Sequence, residues 1–198
     1  ETVSDTEVLC GFATFAHNHQ HFNYPVIHED LGISATGLSH PLIPQGEAVT
    51  NDCRIGKGQS ILIVTGANMA GKSTFLRSIG INLVLALNGA PVCATEFYCP
   101  IINLRTGMRT ADSLKDHQSY FYAELDRLKG IMEELRKDIP LLILLDEILK
   151  GTNSTDKLTG SIALLKQLLP HPCLAVIATH DLALGELETE SPQYFKNY

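Results

Sequence analysis

The chain has no tryptophan, no pair of cysteines at C-x-x-C spacing and no excess of basic residues. Its five cysteines are an odd number, so neither a zinc site nor a disulfide framework is indicated, and we expect a reducing, cytoplasmic location. Lysine and arginine number 15 against 22 aspartate and glutamate residues, for a net charge of −7. This balance argues against the chain alone covering much of a nucleic-acid phosphate backbone.

Long apolar runs are also missing. The longest candidate, residues 79–90, is interrupted by Gly80, Asn82 and Asn88 and falls short of the roughly 18 apolar residues that a membrane span needs. We therefore expect no membrane contact by this chain. A hydrophobic content of 44% over 198 residues is nevertheless enough for a substantial globular core.

The first part of the chain carries apolar residues at helical spacing, which predicts the end of a connecting helix over residues 1–22, arriving from an absent upstream domain. These residues are Val8, Leu9, Phe12, Phe15 and Ala16. Residues 23–198 are predicted to form one domain. Its opening tract, 23–58, is rich in proline and glycine and predicts a small N-terminal antiparallel β region.

From residue 60 onward, segments with strand-like and helix-like patterns alternate, which predicts an α/β fold with a mostly parallel sheet flanked by helices. The segments are 60–65, 72–87, 120–137, 141–146, 156–169 and 173–179. The runs 141–145 and 174–178 are apolar throughout rather than alternating, as expected of strands buried on both faces.

A phosphate-binding pattern stands between the first of these strands and the first helix, because residues 66–73 read G-A-N-M-A-G-K-S and match G-x-x-x-x-G-K-[ST]. In such loops, backbone N–H groups and the helix N-terminus surround phosphate oxygens, Lys72 neutralises the β and γ phosphates, and Ser73 ligates Mg²⁺. The alternative is a glycine-rich turn that binds nothing, but such a turn does not need lysine followed by serine. The predicted binding residues are Gly66, Ala67, Asn68, Met69, Ala70, Gly71, Lys72, Ser73 and Thr74.

Acidic residues and a histidine follow two later strands. Asp146 and Glu147 come directly after an apolar run, so Asp146 is a candidate Mg²⁺ ligand and Glu147 a candidate base for the attacking water. His180 follows the run 173–179 and would sense the γ phosphate or position the water. The alternatives are two solvated acids at a strand end and an ordinary loop histidine. The candidate catalytic residues are therefore Lys72, Glu147 and His180.

The order of these motifs is that of the ABC-type ATPases, and their details resemble the MutS family of DNA mismatch repair proteins. The resemblance extends from about residue 5 to about residue 187. The residues that carry it are Asn68-Met69 within the phosphate-binding loop, Asp146-Glu147-Ile148, Gly151-Thr152, Thr179-His180, and His40-Pro41 ahead of the loop.

The resemblance implies that the chain is the C-terminal ATPase domain of a MutS-like protein, a P-loop NTPase of ABC type that binds ATP and Mg²⁺. It implies that two such domains face each other as a homodimer, with Ser119 completing the partner's nucleotide site, and that His40 contacts nucleotide. The alternative for Ser119 is a plain helix N-cap.

By the same resemblance, DNA would be held by the absent upstream domains, and other repair proteins are candidate partners. Two other functions remain open for the chain. One is the ABC-type ATPase of a transporter or chromosome-structure complex, and the other is a nucleotide-binding module that has lost catalysis.

Overall fold

The computed structural model describes residues 2–56, 58–67, 70–108, 120–149 and 153–198. They fall into two compact units, each assembled from segments that are not contiguous in sequence. The first unit comprises residues 1–54 and 77–101, and the second comprises residues 55–76 and 102–198. The second unit contains most of the predicted motifs.

The first unit contains helix α1 (Thr2–Asn18) and a four-stranded sheet. The strands, in chain order, are β1 (Val26–His28), β2 (Ile33–Leu38), β3 (Asn51–Ile55) and β5 (Glu96–Pro100). The sheet has the order β1-β5-β2-β3, with β5 antiparallel to β2 and parallel to β1. The N-terminal β region is therefore mixed rather than antiparallel, because a strand from much later in the chain pairs between β1 and β2.

Helix α2 (Lys72–Leu87) begins in the second unit and continues into the first. Within the first unit its fully buried Asn82 donates to the carbonyl oxygens of Ser39 and Ser78 at 2.9 and 2.8 Å, and accepts from the Cys93 N–H at 2.6 Å. The amide that interrupts the apolar run thus satisfies buried backbone groups of three chain segments, which repays the cost of burying it.

The second unit is built on a five-stranded sheet in the order β6-β7-β8-β4-β9, and all four pairings are parallel. The strands are β4 (Ile61–Thr65), β6 (Asn103–Gly107), β7 (Leu141–Asp146), β8 (Cys173–Thr179) and β9 (Phe195–Asn197). Every residue of β7 and β8 is buried, which confirms the interpretation of these apolar runs as strands covered on both faces.

Two helices pack against this sheet, α3 (Tyr120–Leu135) and α4 (Ser154–Leu168). Their buried residues recur at helical spacing and join alternate residues of the strands in one apolar core. The helical members are Leu128, Ile131, Leu135, Leu165 and Leu168. A 3-10 turn (Leu182–Glu186) and the short helix α5 (Leu187–Glu190) lead from β8 to β9. Together these elements confirm an α/β fold with a mostly parallel sheet flanked by helices.

In the parts of the chain that the structure describes, no helix is both long enough and apolar enough to cross a bilayer.

The five cysteines give a test of this fold, because Cys10 is exposed on α1 whereas Cys53, Cys93, Cys99 and Cys173 are buried. Burial raises the pKa of Cys99 and that of Cys173 to about 11, so both thiols stay protonated and unreactive at pH 8. We expect one thiol per native chain to react quickly with Ellman's reagent, and all five to react in denaturant. A Cys10→Ser variant with a fast-reacting thiol in the native state would contradict the fold.

Candidate functional site

The carboxyl ends of three neighbouring strands meet at one edge of the five-stranded sheet. Strand β8 pairs with β4 so that Thr179 lies opposite Thr65, and pairs with β7 so that Ala178 lies opposite Asp146. The residues that follow each strand are therefore brought together. They are the start of the loop at Gly66, the carboxylate of Glu147 and the imidazole of His180. Crevices at this edge of open parallel sheets are where ligands bind.

The loop between β4 and α2 begins with two carbonyl groups that bind the amino group of its own lysine. The Lys72 Nζ donates to the carbonyl oxygens of Gly66 and Ala67, both at 2.7 Å. Gly71 has a φ of +86°, a conformation that residues with a Cβ rarely adopt, and it leads directly into the helix. Helix α2 has no acidic residue in its first turn. Positive charge from Lys72 and from the helix N-terminus therefore lies at the same place, an arrangement suited to an anion.

Around this lysine, Ser73 is half-buried, and Ala70 and Thr74 are exposed. Asn68 and Met69, which were also predicted to bind phosphate, lie outside the described residues.

Asp146 and Glu147 differ in how the backbone presents them. Asp146 is the last residue of β7 and is buried, with 8% of its surface exposed. Glu147 has a φ of +63°, and its N–H donates to the Ala178 carbonyl oxygen at 2.8 Å. This left-handed turn directs the chain out of the sheet immediately after Asp146. The two neighbouring acids therefore differ in backbone conformation, since Asp146 belongs to the strand and Glu147 to the turn that follows it.

His180 lies beside Glu147, because its Nδ1 is 3.5 Å from Glu147 Oε1. The His180 side chain is half-exposed, whereas only 14% of the Glu147 side chain is exposed. The backbone after His180 is fixed, since the Asp181 N–H donates to the buried Thr179 Oγ1 at 3.1 Å. A carboxylate and an imidazole at this separation can share the task of orienting one water molecule.

A second left-handed residue follows two positions later, and it reveals a residue that sequence reasoning missed. Leu149 has a φ of +55°, and its N–H donates to the Oε1 of Glu124 on α3 at 2.7 Å. Non-glycine residues in this conformation cost of order 1–3 kcal/mol each and occur preferentially at functional sites. No sequence motif pointed to Glu124, because its contact joins residues 25 positions apart.

Two predicted residues remain, His40 and Ser119. His40 belongs to the first unit, where its Nδ1 accepts from the Leu42 N–H at 3.2 Å. Burial, and secondarily the charge of Arg77, lower the pKa of His40, so its imidazole stays neutral near pH 7. Ser119 lies outside the described residues.

Comparison with known proteins gives a consistent family. Residues 62–197 match the family described as MutS domain V, which is more than half of the chain. The DNA mismatch repair protein MutS of Halalkalibacterium halodurans is 35% identical over 196 residues, covering 96% of this chain and 22% of the relative. The protein of the same name from Thermotoga maritima is 31% identical over 198 residues, covering 98% of this chain and 25% of the relative.

A third relative, the DNA mismatch repair protein MutS of Bacillus velezensis, is 32% identical over 197 residues, covering 96% of this chain and 22% of its own. This chain thus spans about a quarter of the length of the relatives it matches. The family match covers the sheet edge just described, from within β4 to the last residue of β9. The chain belongs to the MutS family.

Proposed function

We propose that the chain is a P-loop ATPase domain of ABC type that hydrolyses ATP on behalf of a MutS-like protein acting on DNA. The observation that carries the proposal is the meeting of two opposite charges at one sheet edge. The Lys72 amino group is bonded to the start of the loop after β4, and two carboxylates stand at the end of β7, with only β8 between the two strands. Such a pair of sites suits a polyphosphate and a metal ion held together.

The triphosphate would bind across the loop 66–74. Backbone N–H groups and the α2 N-terminus would face the phosphate oxygens, and the Lys72 amino group would exchange its two carbonyl partners for the β and γ phosphates.

Magnesium fits the donors that the chain offers. Ser73 and Asp146 provide a hydroxyl and a carboxylate, the oxygen ligands that this cation prefers. The described residues contain no group of three or more histidine, cysteine and acidic side chains that would cage a metal. Mg²⁺ usually keeps several waters and is held by one or two carboxylates together with substrate phosphates. When bound, it would neutralise charge on the β and γ phosphates.

Glu147 would act as the base for hydrolysis. Its carboxylate would accept a proton from a water molecule whose oxygen attacks the γ phosphorus, while the bond from that phosphorus to the bridging oxygen breaks and ADP leaves with the electron pair. His180, 3.5 Å from Glu147, would hold the same water or the γ phosphate. Lys72 would stabilise the charge that develops on the phosphate oxygens.

The partners follow from the family rather than from the described contacts. A second copy of the domain would complete each nucleotide site through Ser119, so that ATP binding closes a homodimer and hydrolysis releases it. DNA would be held by upstream domains that are absent from this chain, and the ATP cycle would shift the affinity of those domains for DNA. Other repair proteins would act on the closed form.

Two substitutions test the ATPase proposal. We expect Glu147→Gln to slow phosphate release from ATP by about 100-fold or more while nucleotide still binds, because the base is lost and the phosphate-binding loop is kept. We expect Lys72→Ala to weaken nucleotide binding itself. Phosphate release and the fluorescence of a labelled ATP analogue measure the two effects. Glu133→Gln is the matched control, because Glu133 lies exposed on α3. Hydrolysis by Glu147→Gln at the unmodified rate would refute the assignment.

Solution mass tests the homodimer. The Glu147→Gln chain would stall before hydrolysis, so we expect its mass in light scattering to rise from monomer to dimer on addition of Mg-ATP. Ser119→Arg should abolish that rise, because its long side chain would occupy the space that the partner's phosphate is expected to fill. A chain that binds ATP and stays monomeric in both variants would exclude closure through this domain alone.

A further inference from the structure

We infer that Glu124 is a positioning residue for hydrolysis, which holds the left-handed loop 147–149 and thereby aims the Glu147 carboxylate at its water. The inference rests on the proposed ATPase function and names a residue that none of the motifs contains. Glu124 lies on α3, and Glu147 lies beyond the end of β7. The contact between them runs through the backbone of Leu149.

The bond from Leu149 to Glu124 is short and made to a carboxylate. The N–H to Oε1 distance is 2.7 Å, and the site is partly buried. Hydrogen bonds to an ionised acceptor are roughly twice as strong as neutral ones. The bond fixes a residue whose φ of +55° is unfavourable for leucine. Glu124 therefore offsets a strain that the loop would otherwise relieve by moving.

The described contacts of the loop include others from β8 and α4. The Glu147 N–H is bonded to the Ala178 carbonyl oxygen, and Ile148 is buried in the core. Leu149 packs against Gly160 of α4 so closely that a Cβ there would lie 2.7 Å from Leu149 Cδ1. A charged side chain from α3 thus adds a strong hydrogen bond to a loop that a backbone bond and apolar packing also hold.

Loss of this acceptor should affect Glu147 and spare Asp146. Asp146 belongs to β7 and is held by pairing with β8, whereas Glu147 lies in the strained turn beyond the pairing. Nucleotide and metal binding depend on the loop 66–74 and on Asp146, whereas the bond from Glu124 ends on the Leu149 N–H. The expected signature is therefore a lower kcat with unchanged nucleotide affinity, because a misplacement of about 1 Å can cost on the order of 100-fold in rate.

Three substitutions at one position separate the acceptor from its charge and reach. Glu124→Gln keeps an oxygen at the same reach, and we expect kcat within about threefold of the unmodified chain. Glu124→Asp keeps the charge and loses the reach, and Glu124→Ala loses both. For these two we expect kcat to fall about 10- to 100-fold, with the nucleotide Kd unchanged. Asp126→Ala, exposed on the same helix, is the control and should leave both quantities unchanged.

A second measurement does not depend on activity. Amide hydrogen exchange of Leu149 should be fastest in Glu124→Ala and Glu124→Asp, and intermediate in Glu124→Gln, which keeps an acceptor but loses its charge. If the unmodified chain fails to hydrolyse ATP, the proposed function falls, and exchange at Leu149 still tests the contact. If the unmodified chain hydrolyses ATP and Glu124→Ala keeps its kcat, or loses kcat and affinity in equal measure, the positioning role is wrong.

Discussion

Strand β8 pairs with β4 along one side and with β7 along the other, and the candidate site depends on the register of these two ladders. The loop that leads to Lys72 follows β4, and the two carboxylates stand at the end of β7. A slip of one residue in either pairing would exchange the two faces of a strand, since side chains alternate along it. All seven residues of β8 are buried, so such a slip would force the apolar side chains on both of its faces to repack. The packing of β8 thus fixes the register that brings the Lys72 loop and the two carboxylates to one sheet edge.

Much of the second unit was predictable because its signals are local. The apolar runs that became β7 and β8 were identified from composition, and the helix after the phosphate loop begins at Lys72 as predicted. The sequence motif includes Gly71 because the positive φ at this single position favours glycine. The meeting of three strand ends followed from parallel pairing alone. The chemical roles of the residues at that edge stay predictions.

The features that sequence reasoning missed are those that depend on distant pairings. Strand β5 enters the first sheet between β1 and β2, and no local pattern in its five residues indicates that position. The strand order of the second sheet is likewise set by packing between segments far apart in the chain. Glu124 is the clearest case at the site. It stands in an ordinary amphipathic helix, and its importance comes from one amide on another element.

The interleaving of the two units along the chain has a consequence for synthesis. The first unit is complete once residue 101 has been made, whereas β4 and the phosphate loop belong to a unit whose remaining segments follow residue 102. At about 5–20 residues per second, the ribosome takes several seconds to reach β8. During that interval the apolar strand β4 lacks its partner β8, and exposed strand edges are prone to aggregation. Slow codons or chaperone binding after the first unit would therefore change the yield of folded protein more than the same events placed before it.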